Sequence, residues 1–262
     1  YIALIALCDH LLGKVLDHFD EHNMWEDTSL ILTTDHGFML GEHDWWAKNR
    51  MPLYNEISHI PLFVYHPDYK HNNGQRRSVV TQNIDLMPTF LENHNINIPK
   101  EVQGKSLLSF LDKEKSTNHS ALFGYWGGGV NITDGKYTYF KYPDNMSRKD
   151  PFQYTLMPTH LRQFFTLEEL KTAQMEKPFS FTKGVPVMKI KNDDKGPSIG
   201  NSNVGDNMGF VDTESALYDM INDPGQLNKL DDEIIISKMN DLIYNKMIEN
   251  VCKCALYEFA LR

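Results

Sequence analysis

The sequence predicts an α/β protein with a mixed sheet flanked by helices over residues 1–116, followed by a smaller α+β domain over 117–262 with an antiparallel sheet and a C-terminal helix. Three observations predict it. An amphipathic helical pattern runs directly into a short, uniformly apolar β run; short aromatic and β-branched runs separated by glycines begin beyond about residue 115; and a long helical pattern closes the chain.

Residues 2–24 place Ile5, Leu11, Leu12, Val15, Leu16 and Phe19 at mixed three- and four-residue spacings, which predicts a helix stopping near His22-Asn23. Ser29 to Thr34 is β-favouring and too uniformly apolar for a half-exposed strand, so it is expected to be central, buried on both faces and part of a parallel sheet. Pro61 to His66 repeats that signal. Asp85 to Glu92 reads as helix, with Pro88 tolerated in the first turn. Ala121–Trp126, Val130–Thr133 and Tyr137–Tyr142 then form the pattern of an antiparallel meander. Residues 143–215, rich in Pro, Asn, Asp, Gly and Lys, read as a long insertion with one helical piece near Leu167 to Met175. Ala216-Leu217-Tyr218 resumes a strand, Asn222-Asp223-Pro224-Gly225 makes a turn, and Glu233 to Leu261 is a long helix.

A net charge of −9 and a pI near 5.6 oppose sequence-independent binding to nucleic acid, which needs clustered cations; an anionic substrate needs a local cationic site instead. No stretch is apolar enough over a membrane-spanning length. The start at Tyr1 has neither an initiator Met nor a basic leader and reads as a cut edge. The three cysteines, Cys8, Cys252 and Cys254, cannot all pair within the chain, and the last two read as residues of the final helix. Unpaired thiols weigh slightly towards a reducing compartment.

The strongest local feature is Thr33-Thr34-Asp35-His36-Gly37 at the C-terminal end of the apolar strand, where open α/β sheets place their ligands. Asp35 and His36 are both metal-ligand types, and Gly37 lets the backbone turn after them. Alone, the pair could equally cap the next turn. The loop Leu40 to Lys48 adds His43 and Lys48: the lysine could be a point cation on a tetrahedral oxyanion, and the histidine a donor of a hydrogen bond or proton. A solvated lysine and a histidine bonded to Asp44 are the plainer readings.

Taken in order, Leu30 to Gly37, Leu40-Gly41-Glu42-His43, Lys48 and Ile60 to Val64 resemble the second half of the sulfatase catalytic domain in the alkaline phosphatase superfamily. Gln82 to Thr89 resembles the family's next helix, Gly104-Lys105-Ser106-Leu107 its next turn, and Leu217-Tyr218-Asp219 with Asn222 to Gly225 its C-terminal signature. The resemblance covers most of the chain except 143–215. It implies an alkaline-phosphatase-like mixed sheet and a divalent cation, calcium before manganese, whose later ligand pair matches Asp35 and His36. It implies that His43 and Lys48 contact the sulfate. It also implies a formylglycine nucleophile made from Cys or Ser in a Cys/Ser-x-Pro-x-Arg motif, which none of the 262 residues supplies. The family's early Asp pair is missing too: Asp193-Asp194 reads as a turn and Asp231-Asp232 as a helix cap. The expectation is therefore a segment beginning midway through the catalytic domain of a hydrolase of a sulfated small molecule or sugar. Its open sheet edge would be covered by the N-terminal half of the same enzyme or by self-association.

Two other readings stay open. A relative acting on phosphate or phosphonate esters fits His36 beside the metal aspartate, and a non-catalytic binding domain could retain the fold. Tyr125, Trp126, Tyr137, Tyr139 and Tyr142 could stack on a sugar, although strand aromatics more often pack a core.

Overall fold

The computed structural model describes residues 1–48, 52–113, 119–124, 129–142, 152–157, 159–160, 164–191 and 214–249. Helix α1 (Ile2–Glu21) ends at His22, and Asn23 takes a left-handed conformation that turns the chain away. Strand β1 (Leu30–Thr33) follows, then the short pair β2 (Met39–Leu40) and β3 (Trp46–Ala47), helix α2 (Asn55–Ser58), strand β4 (Leu62–Tyr65), and helices α3 (Leu86–Asn93) and α4 (Leu108–Asp112). Pro88 lies in the first turn of α3, where its missing N–H is harmless.

The strand at β1 departs from expectation. It pairs with β4 in antiparallel register, Leu30 opposite Tyr65 and Thr33 opposite Leu62, and the two form a two-stranded sheet among the described residues. Leu32 is 40% and Phe63 64% exposed, so the strand is neither parallel-paired nor buried on both faces. An apolar run records that a strand favours burial but not the direction of its neighbour. Ile2, Leu4, Ile5, Leu7, Leu11 and Val15 of α1 are exposed as well.

The motifs after β4 are tied to one another by backbone contacts. Gln82 and Asp85 form a capping box, and Asp85 also accepts a hydrogen bond from the backbone N–H of Lys105 at 2.8 Å. A Cβ on Gly104 would lie 2.0 Å from the Ile84 carbonyl oxygen, so only glycine fits there. Buried Thr89 accepts from the Leu107 N–H at 2.9 Å.

Beyond residue 116, β5 (Ala121–Gly124), β6 (Val130–Thr133) and β7 (Tyr137–Lys141) form the expected meander. Next come β8 (Phe152–Thr155), helix α5 (Leu167–Lys171), β9 (Gln174–Glu176) and β10 (Val187–Lys191). The helical piece expected to reach Met175 stops at Lys171, because residues 174–176 pair with β10 instead. Strands β8, β10 and β9 make a small antiparallel sheet within the 143–215 stretch. Finally β11 (Ala216–Asp219) joins β7, giving the order β11-β7-β6-β5, and α6 (Glu233–Glu249) packs on that sheet through Met239, Ile243 and Met247. The Asp232 carboxylate accepts from the N–H groups of Ile234 and Ile235 at 3.0 and 3.1 Å and caps α6 as expected.

Tyr139 and Tyr142 are core residues of two clusters and Tyr137 packs against that of Tyr139, so the packing reading holds for all three; Tyr125 and Trp126 lie outside the described residues, as do Asp193, Asp194, Cys252 and Cys254. One buried cluster draws from both sides of residue 116: Met39, Leu53, Tyr54 and Ile57 pack with Phe140, Tyr142, Ala216 and Tyr218. No helix among the described residues is long and apolar enough to cross a membrane.

Candidate functional site

Asp35 and His36 stand just beyond the end of β1. The Asp35 side chain is 81% exposed, and its Oδ1 accepts the backbone N–H of His36 at 2.9 Å. That amide, followed by the nearby imidazole and the Thr34 hydroxyl, outweighs slight desolvation and holds the carboxyl below the ordinary aspartate range. The group is thus an anion at neutral pH.

The imidazole of His36 has a defined orientation. Its Nδ1 lies 2.9 Å from the carbonyl oxygen of Gly37, and a carbonyl can only accept, so Nδ1 carries the proton. The lone pair is then on Nε2. That atom lies 3.3 Å from Asp35 Oδ2 and 2.9 Å from Lys48 Nζ, so the ammonium donates to it. Two acceptors and one cation converge on one exposed point, bringing together three of the four residues singled out from sequence.

The fourth, His43, is placed differently. Its ring lies flat on Tyr54, centroids 3.6 Å apart and planes 4° off parallel, and its Nε2 is 3.8 Å from Glu56 Oε2. The side chain is only 9% exposed. Glu56 links it back to the strand end, because Gly37 is pressed against α2. A Cβ on Gly37 would fall 1.8 Å from the Glu56 carbonyl oxygen, and the Gly37 N–H donates to Ile57 O at 2.8 Å. The glycine is required for this close approach rather than for the turn that its place in the sequence suggests.

The connecting loop is backbone-strained. Gly41, His43, Asp44 and Ala47 all have positive φ, 124°, 50°, 55° and 130°, and the last is unusual for alanine. Glu42 fastens the loop by accepting the Leu40 N–H at 2.5 Å, which keeps its carboxyl below the usual range.

Several supporting contacts carried no sequence signal of their own. Asn83 donates to the Thr34 carbonyl at 3.2 Å, and Tyr1 stacks on Phe38 at 5.2 Å. Buried Gln226 accepts the Asn55 N–H at 2.7 Å, while Asn55 Nδ2 donates to Pro224 O at 3.2 Å. The Asn-Asp-Pro-Gly turn therefore buttresses α2, and α2 buttresses Gly37 and His43.

The donor set fits a divalent cation in chemistry: an ionised carboxylate and an imidazole Nε2 whose lone pair, here accepting from Lys48, is of ligand type, with a hydrogen bond at Nδ1 that fixes the tautomer. It is a partial set, since a calcium-sized ion takes six or more oxygen ligands.

Comparison with known proteins agrees with the order of motifs. Residues 1–96 match the family model described as Sulfatase. The chain is 32% identical over 117 residues to the N-acetylglucosamine-6-O-sulfatase of Bacteroides thetaiotaomicron, covering 45% of this chain and 20% of that protein. It is 37% identical over 119 residues to the multifunctional alkaline phosphatase superfamily protein PehA of Trinickia caryophylli, covering 45% and 23%. A solved structure, determined in complex with its substrate D-glucosamine-2-N,6-O-disulfate, matches 94% of this chain and 39% of its own length, with a TM-score of 0.60 and 17% identity. The chain thus spans about a fifth of the length of the curated relatives named here. Residues 1–96 are thus similar to the sulfatase family, and the α/β architecture of a solved structure is matched along 94% of the chain.

Proposed function

We propose that the intact protein hydrolyses sulfate esters, with Asp35 and His36 as two ligands of a divalent cation and with Lys48 and His43 as groups that hold the transferred oxyanion. The observation that carries this reading is the convergence of Asp35 Oδ2 and Lys48 Nζ on His36 Nε2 at 3.3 and 2.9 Å. A divalent cation bound there, calcium before manganese, would polarise a sulfuryl oxygen. Lys48 would place a point charge on the anion, and the Gly37 carbonyl would keep the His36 proton on Nδ1. His43, stacked on Tyr54 and close to Glu56, has its ring fixed for donating to an oxygen.

The formylglycine expected in this family has no source motif in the 262 residues, so the segment alone is proposed to have no turnover. The exposed apolar residues of α1, with Leu32 and Phe63, are proposed to be covered by a further part of the same enzyme or by a second copy. Similarity to an N-acetylglucosamine-6-O-sulfatase favours a sulfated sugar as substrate. A second reading, phosphate or phosphonate ester hydrolysis, is favoured by the 37% identity to a multifunctional alkaline phosphatase superfamily protein and by the imidazole beside the aspartate.

Steady-state assay of the intact protein against matched aryl sulfate and aryl phosphate tests both. Lys48→Ala is expected to lower kcat for the sulfate by roughly a hundredfold with the melting temperature unchanged. Full activity in that variant would remove Lys48 from the site, a preference for the phosphate would support the second reading, and turnover of neither would favour a non-catalytic binding domain.

A further inference from the structure

Helix α1 carries a second group of ligand-type side chains that the site above does not use. His18, Glu21 and His22 are all exposed, and one ligand atom from each lies within 4.8 Å of the others. Their three- and four-residue spacings put them on one helix face, and the two imidazole rings are 4.0 Å apart. We propose that these three residues form a site for a transition-metal ion of the zinc class.

The orientation of His22 supports this assignment. Its Nδ1 lies 3.0 Å from the carbonyl oxygen of His18, which can only accept, so the proton sits on Nδ1 and the lone pair on Nε2. A backbone carbonyl holding one imidazole nitrogen while the other faces outward is the usual second partner of a metal-binding histidine. The location adds charge of the right sign. The group occupies the last turn of α1, where unpaired carbonyls make the helix end negative, and Asp17 and Asp20 lie in the same stretch. The only basic residue of that turn is His18 itself.

Two imidazoles and one carboxylate select zinc, copper or nickel over calcium or magnesium, which prefer all-oxygen shells. Three protein ligands leave at least one position for water. The ion would tie His18 to His22 across the final turn of α1, just before the chain turns through Met24–Glu26 into β1. Its expected effect is to stiffen the helix end that leads to Asp35. The inference does not rest on Asp35 or His36 binding a cation.

Calorimetric titration of the full chain with Zn²⁺ alone tests it, after its cysteines have been alkylated to remove competing thiols. The parent is expected to bind one zinc ion at the α1 group and to melt at a higher temperature with zinc present. His18→Ala/His22→Ala, with an unchanged circular dichroism spectrum, is expected to weaken binding at least about tenfold and to abolish the thermal shift. His22→Gln, which keeps a polar side chain of similar reach, is expected to weaken it as well. Asp35→Asn/His36→Ala is expected to retain the binding event of the α1 group. Equal zinc affinity in the parent and the His18/His22 double variant would overturn the proposal, and so would loss of the isotherm in Asp35→Asn/His36→Ala alone.

Discussion

Between Thr33 and Lys48 the chain spends much of its length in strained or exposed backbone, whereas the sheet of β5, β6, β7 and β11 is regular and closed over by α6. Four residues of the loop have positive φ; among the described residues of the sheet and its turns only Gly135 does. Asp35 is 81% exposed on its side chain, while Ile132, Phe140, Met239 and Ile243 are fully buried. One region thus derives its order largely from apolar packing beneath α6, and the other borrows order from its neighbours through buried Met39 and a few specific contacts. Rigidity is imported into the loop through Gly37, Tyr54, Glu56 and Asn83.

The sharpest way to break this contrast is Phe140→Ala. Phe140 is fully buried and makes edge-on contacts with Tyr54, Phe123 and Tyr218. Its truncation is expected to lower unfolding free energy by about 3–5 kcal/mol in urea titration. A loss below about 1 kcal/mol would mean that the cluster joining the two halves is not packed as described. Gly37→Ala comes next. The added Cβ meets backbone rather than a flexible side chain, so α2 must move, at a cost of about 1–3 kcal/mol. A variant as stable as the parent would show that the loop and α2 are not pressed together.

The smallest effect is expected at Asp134, in the β6–β7 turn. Its carboxylate is 2.8 Å from Lys238 Nζ on α6 and accepts the backbone N–H groups of Lys136 and Tyr137. Burial raises its pKa, but the lysine and the two amides together outweigh that and leave it below the ordinary 3.8. A depressed carboxyl stabilises the fold above its unfolded value, and the contribution fades as pH falls through the lower folded value. Asp134→Asn is therefore expected to cost about 1 kcal/mol at neutral pH, with the difference shrinking below about pH 4. A difference independent of pH would show that the charge plays no part.

What was legible in the sequence follows the same contrast. Lys48 is 13 positions from Asp35 and His36 is adjacent to Asp35, so local reasoning brought them together, and the meander announced itself through alternating aromatics and glycines. The antiparallel partnership of β1 with β4 was not legible, because a short apolar run is silent about direction. Nor was the role of Glu56, Asn83 or Gln226. Each acts through a polar contact to residues distant in sequence, and no periodicity encodes such a contact. At 174–176 the helical pattern lost to strand pairing with Val187 to Lys189, a tertiary override of local preference.

The bond from Asn55 N–H to Gln226 Oε1 spans 171 residues. During synthesis at roughly 5–20 residues per second, the amide would emerge about 10–30 s before its acceptor is made. Leu53, Tyr54 and Ile57 wait equally long for Ala216 and Tyr218 to cover them. The candidate site is thus translated well before the residues that complete its support.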